Sequence, residues 1–139
     1  MGTTYKCGVT PENVQELKDY QIFVFGSNMS GMHGAGAAKM AMDYFGAKRG
    51  RGEGIGGQSY ALPTKDWMIN TLTTNRIRIH VDKLYDCVNA MKEKHFLITA
   101  IGTGLAGYSY EDIAPLFKDF LEIENCSLPI EFINILTNT

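Results

Sequence analysis

At 139 residues, 45% hydrophobic and 20% charged, the chain has the size and apolar content of one domain built on a modest sheet covered on both faces. Its formal net charge of −2 excludes a global basic field for holding duplex nucleic acid, so any phosphate recognition has to be local. There is no membrane-length apolar run and no signal-peptide pattern, and Cys7, Cys87, Cys126, His33, His80 and His95 show no metal-ligand spacing; the expectation is a cytoplasmic protein without metal, other cofactor or membrane partner.

Thr10-Pro11-Glu12 predicts a helix start, with Thr10 as cap and Pro11 at the first helical position, and a short helix to about Tyr20 that buries Val14 and Leu17. Ile22 to Phe25 is a continuous apolar run, the pattern of a strand buried on both faces. It breaks at Gly26-Ser27-Asn28 and passes through a glycine-rich stretch into a helix over Ala37 to Phe45, whose small residues suit close approach to a sheet. Residues 46–57, GAKRGRGEGIGG, predict a mobile loop carrying Lys48, Arg49 and Arg51. Ser59 to Leu62 is the next strand, ended by Pro63-Thr64-Lys65-Asp66, and Ile77, Val81, Leu84, Val88 and Met91 then recur at helical spacing between Arg76 and Lys94.

Phe96 to Ile101 predicts a second buried strand, broken at Gly102. Ser109 with an acid three residues on predicts a capped helix start, and that helix buries Ile113, Leu116, Phe117 and Phe120, with Pro115 altering its first turns. Ile130 to Leu136 predicts a closing strand. Strands alternating with helices imply a mostly parallel sheet covered on both faces, in a single domain over residues 1–139.

Twice a buried strand runs into a glycine-rich loop that opens a helix. Such a junction is an anion site, because unsatisfied N–H groups and the helix dipole face the incoming charge while glycine lets the backbone come close. Two of them at the carboxyl ends of parallel strands point to two adjacent phosphates, or to a phosphate and a ribose. Neither loop is a GxGxxG dinucleotide fingerprint, and there is no GxxxxGK[ST] phosphate loop.

Ile101-Gly-Thr-Gly-Leu-Ala-Gly-Tyr-Ser-Tyr-Glu-Asp-Ile-Ala114 resembles the second ligand loop of macrodomains, and Phe25-Gly-Ser-Asn28 with Gly31 and His33-Gly-Ala-Gly-Ala37 resembles their first. The order of elements around these loops is similar as well, so the resemblance covers most of the chain and suits a small, divergent bacterial or phage-type macrodomain. It implies a three-layer α/β/α fold with a mostly parallel mixed sheet, and a pocket for ADP-ribose or a related nucleotide. Gly102, Thr103, Gly104, Leu105, Ala106 and Gly107 would wrap the phosphates. Ser27 and Asn28 are the other first-loop ligand positions, Asn28 reaching the distal ribose, while Gly34, Ala35, Gly36 and Ala37 form the facing wall and Tyr108 packs near that ribose. The family's adenine-reading Asp has no counterpart in Cys7-Gly-Val-Thr10, which leaves the base open, with Asp19 or a backbone group as substitutes.

One hydrolytic branch of the family uses a Lys just after a strand and an Asp in the second loop. Lys65 matches the first, and Ala106 stands where the second would be. The candidate catalytic groups are therefore Lys65, its neighbour Asp66, and His33, whose ordinary pKa of about 6.5 suits proton transfer near neutrality. The expected partner is ADP-ribose, free or on a modified macromolecule; the competing reading is an interaction module for protein or nucleic acid that keeps the fold without the small ligand.

Overall fold

The computed structural model describes residues 4–138. The elements run β1 (Gly8–Val9), β2 (Gln21–Asn28), α1 (Gly36–Tyr44), β3 (Gly54–Gly56), β4 (Ser59–Lys65), α2 (Thr74–Ala90), β5 (His95–Ile98), α3 (Tyr110–Ile113), a 3-10 helix (Ala114–Glu122), β6 (Cys126–Leu128) and α4 (Ile130–Thr137). The sheet order is β1-β6-β5-β2-β4-β3, parallel throughout except for the antiparallel edge strand β3.

Side chains alternate across a strand, and the central strands are apolar on both sides. Phe23, Phe25, Ala61 and Leu97 pack with Ala38, Ala41 and Phe45 under α1. Ile22, Val24, Tyr60, Leu62, Phe96 and Ile98 face the opposite layer, where α2, the 3-10 helix and α4 supply Ile77, Leu84, Phe117, Phe120 and Phe132. The result is the α/β/α arrangement, with the smaller layer formed by α1 together with Val14 and Leu17 of the irregular segment before β2. Helix α1 has to sit close, and alanine at 38 and 41 permits it.

Strand β2 continues past Phe25 because β4 pairs with it as far as Asn28, opposite Lys65, with a register shift after Ser27. Pro63, which has no N–H to give, lies beyond the last β4 residue that β3 pairs, so no ladder bond is lost there. The Ser109 capping box forms as expected, each partner bonding the other's backbone. After one α-turn, Pro115 at the start of the next segment coincides with the change to 3-10 geometry.

Three expectations are corrected. Residues 11–20 are not a helix: the Thr10 hydroxyl donates to the Ile98 carbonyl at 2.7 Å instead of capping, and only Val14 of this stretch is buried. Ile130–Thr137 is a helix, not a strand; Pro129 stands at its N-cap and Phe132 and Ile133 face inward, while the closing strand is the shorter Cys126–Leu128. Residues 46–57 are not all loop: Gly54–Gly56 form the edge strand β3, and the rest is a strap bonded to the first loop. His33 Nε2 donates towards the carbonyls of Lys48 at 3.0 Å and Arg51 at 3.2 Å, and Gly50 N–H donates to the Gly31 carbonyl at 3.0 Å. Glu53 bonds His80 Nδ1 at 2.6 Å and Lys83 at 3.4 Å. A Cβ on Gly31 would overlap the Gly50–Arg51 backbone, and one on Gly52 would overlap the Asn28 and Met29 carbonyls. Only glycine permits that approach.

Candidate functional site

Strands β2 and β5 end side by side, and both glycine-rich loops leave from that end of the sheet. Between the loops lies a cavity of about 600 Å³ lined by Ser27, Asn28, Gly34, Ala35, Gly36, Ala37, Lys65, Gly102, Gly104, Leu105 and Ala106. A second lobe of about 600 Å³ continues past α1 to residues 9–14 and 129–131. The two lobes share Gly36, Ala37, Thr99 and Ala100, so they form one groove with a waist.

The first loop is organised by Asn28. Its Oδ1 accepts from Met32 N–H at 2.9 Å and Ser30 Oγ at 2.7 Å, and its Nδ2 donates to the Met32 carbonyl at 2.8 Å. The amide thus holds the turn and makes one of the two bonds its Nδ2 can donate, on a residue that lines the cavity. The Ser27 hydroxyl donates to the Gly52 carbonyl and ties β2 to the strap. Helix α1 begins at the waist with Ala35 at its N-cap and no side-chain cap bond, so its first N–H groups, at Gly36 and Ala37, are unsatisfied within the helix.

In the second loop, Thr99 bonds the Val24 carbonyl and Thr103 bonds the Ala100 carbonyl. Gly107 N–H closes on Gly104 at 3.0 Å and Tyr108 N–H on Gly102 at 3.0 Å. Among the described residues, the N–H groups of Gly102, Gly104, Leu105 and Ala106 make no hydrogen bond within the protein. Gly102 has φ +81° and packs on Ile113, while Gly34, Gly36 and Gly104 have no protein atom where a Cβ would stand. Backbone donors from two loops therefore border one open space, the arrangement that takes an anion without cationic side chains.

Not every expected residue faces that space. Thr103, Gly107 and Tyr108 lie outside the lining; the Tyr108 hydroxyl donates to the Leu72 carbonyl at 2.6 Å and its ring packs on the core. His33 is 5% exposed, edge-on to Phe25 and turned to the strap, not to the cavity. Asp66 is likewise outside; its Oδ1 accepts the N–H groups of Met68 and Asn70, both at 2.9 Å, and so shapes the loop after β4. Lys65 does line the cavity, at the pairing position opposite Asn28.

The sequence reading missed most of the second lobe. Thr10 to Val14, Phe23, Met40, Tyr110 and Pro129 to Glu131 line it, and its carboxylates are Glu12 and Glu131 rather than Asp19. It also missed Ile69, whose φ of +64° is the only positive value at a non-glycine among the described residues and which lines the first lobe beside Lys65.

No family model matches the chain, and no curated protein matches it. Among solved structures, the macrodomain of Mycobacterium tuberculosis DarG superposes with a TM-score of 0.64 at 15% identity, covering 88% of this chain and 96% of that one. The six-stranded mixed sheet, the helical layers on both its faces and this superposition together give the protein a macrodomain-like fold.

Proposed function

We propose that the groove binds ADP-ribose or a related nucleotide diphosphate. The observation that supports this reading is the pair of donor sets on one groove: the unsatisfied N–H groups of the α1 start border the waist, and the unbonded N–H groups of the second loop border the first lobe beside it. A diphosphate at the waist places one nucleoside portion against Phe23, Met40 and Tyr110 and the other end beside Asn28 and Lys65. The fold likeness supports the same ligand class, since macrodomains as a family are ADP-ribose modules.

Titration calorimetry with ADP-ribose, and with ADP as control, tests it. Micromolar binding that is weaker for ADP is the expected result, because ADP leaves the Asn28–Lys65 lobe empty. Absence of binding to both overturns the reading and moves the search to a macromolecular partner held by the fold itself.

The position of Lys65 favours a second step, removal of ADP-ribose from a modified macromolecule. Lys65 lines the lobe that would hold the distal ribose; an unprotonated amine there attacks the anomeric carbon as the bond to the macromolecule breaks and its leaving atom takes a proton, and water then hydrolyses the lysine adduct to free ADP-ribose and regenerate the amine. Release of ADP-ribose from a modified substrate is then lost in Lys65→Ala while binding persists; unchanged turnover removes Lys65 from the mechanism.

A further inference from the structure

Beside the groove lies a surface that ligand binding does not use. A shallow depression of about 500 Å³ is lined by Lys48, Arg49, Arg51 and Trp67 together with Met29, two glycines and Glu53. Trp67 is the only tryptophan of the chain and is 68% exposed, with Met68 next to it at 81%. Trp67 belongs to neither core cluster, and with Met68 and Ile69 it makes a run of three exposed apolar side chains.

The charge around it is one-sided. Lys48, Arg49 and Arg51 are exposed, and the one carboxylate in the lining, Glu53, is already bonded to His80 and Lys83. Asp66, next to Trp67, is held by its own loop's N–H groups. In a chain of net charge −2 this is a local concentration of cations against an exposed ring. The backbone of the strap that carries them is held by His33, Ser27 and the two glycine contacts.

We propose that this depression is a docking surface for single-stranded nucleic acid, with Trp67 as a base-stacking platform and Lys48, Arg49 and Arg51 as phosphate contacts. Stacking needs unpaired bases, which a duplex does not offer, and it distinguishes a nucleic acid from an acidic peptide of equal charge. The loop Asp66–Asn70 borders both places: Ile69 lines the groove and Trp67 lines the depression. Trp67 therefore stands two residues along the chain from a residue that lines the groove. The docking surface itself does not rest on the proposed ligand site.

Because Trp67 is the sole tryptophan, its fluorescence reports the contact directly. Titration of the full chain with a short oligothymidylate is expected to quench that emission, while inorganic polyphosphate binds without quenching. In fluorescence anisotropy with a labelled oligothymidylate, Trp67→Ala weakens binding about tenfold, the loss of one stacked base. Arg49→Ala lowers the slope of log affinity against log salt by about 0.7. Both variants keep wild-type affinity for ADP-ribose, so failure of the surface and failure of the groove are read separately. Absence of quenching, equal affinity for duplex, or equal affinity for polyglutamate overturns the proposal.

Discussion

Gly104 and Gly102 lie two residues apart in the second loop, and the structure assigns them opposite sensitivities. Gly104 is outside the left-handed region and has no protein atom where its Cβ would be, so Gly104→Leu leaves the unliganded protein within about 0.5 kcal/mol of wild type. Gly102 has φ +81° and its Cβ would stand 3.0 Å from Ile113 Cδ1, so Gly102→Ala costs about 1–3 kcal/mol. With ADP-ribose at a hundred times its Kd, wild type gains about 2.7 kcal/mol, a melting shift on the order of 10 °C for a domain of this size. A leucine side chain projecting into the groove that weakens the ligand tenfold leaves about 1.4 kcal/mol of that gain, roughly half the shift. Scanning fluorimetry with and without ligand reads both quantities on each variant. Undiminished ligand shift in Gly104→Leu would refute the placement of that loop against the ligand, and a Gly102→Ala protein as stable as wild type would refute the backbone account.

Three further outcomes follow from burial and strapping. Burial holds the His95 imidazole below its ordinary pKa, so the unfolded chain takes up the proton first and stability falls as pH drops through about 6.5. Denaturant midpoints measured between neutral and mildly acidic pH show that decline, and His95→Gln flattens it; an unchanged decline would assign it elsewhere. The Cys126 thiol is pushed up to about 12 by burial, with Cys7 and Cys87 raised by the same cause, so native protein reacts slowly with a thiol reagent and urea-unfolded protein reacts fully. Fast native labelling of Cys126, located by peptide mapping, contradicts this. Trypsin cuts the native strap slowly although Lys48, Arg49 and Arg51 are exposed, and His33→Ala accelerates cleavage there by removing the two carbonyl contacts. Equal rates in the two proteins would mean that His33 does not hold the strap.

The elements that were legible in the sequence are those whose periodicity matches their packing. Ile22–Phe25 and Phe96–Ile98 are apolar at every position because each face of the sheet has its own core, although the sequence predicts that the second run continues as strand to Ile101, and α2 shows its buried Ile77, Val81, Leu84 and Val88 at helical spacing. The closing segment misled because Ile130, Ile133 and Ile135 are strand-favouring residues, whereas Pro129 just before them stands at the N-cap, a position compatible with a helix start. Thr10-Pro11-Glu12 carried a helix-start signal too, but the apolar residues behind it are few and the Thr10 hydroxyl finds a better partner on β5. Of the candidate site, the glycine loops were readable because they follow strands directly. The second lobe was not, since it is assembled from three distant segments, residues 9–14, Tyr110 and residues 129–131, that no local pattern connects. His33 looked like a reactive loop residue; its structural duty depends on carbonyls 15 and 18 residues away.

The glycine contacts between the Asn28–Met32 turn and the strap also set how this protein can change over generations. Gly31 meets residues 50 and 51, and Gly52 meets residues 28 and 29, backbone to backbone, with no flexible side chain among those contacts to absorb an error. A larger residue at Gly31 is tolerable only if the chain at 50–51 withdraws, and one at Gly52 only if the Asn28 carbonyl does. Substitutions in the two segments are thus expected to be inherited as pairs, and a graft of one loop from another protein fails unless its counterpart is carried across with it.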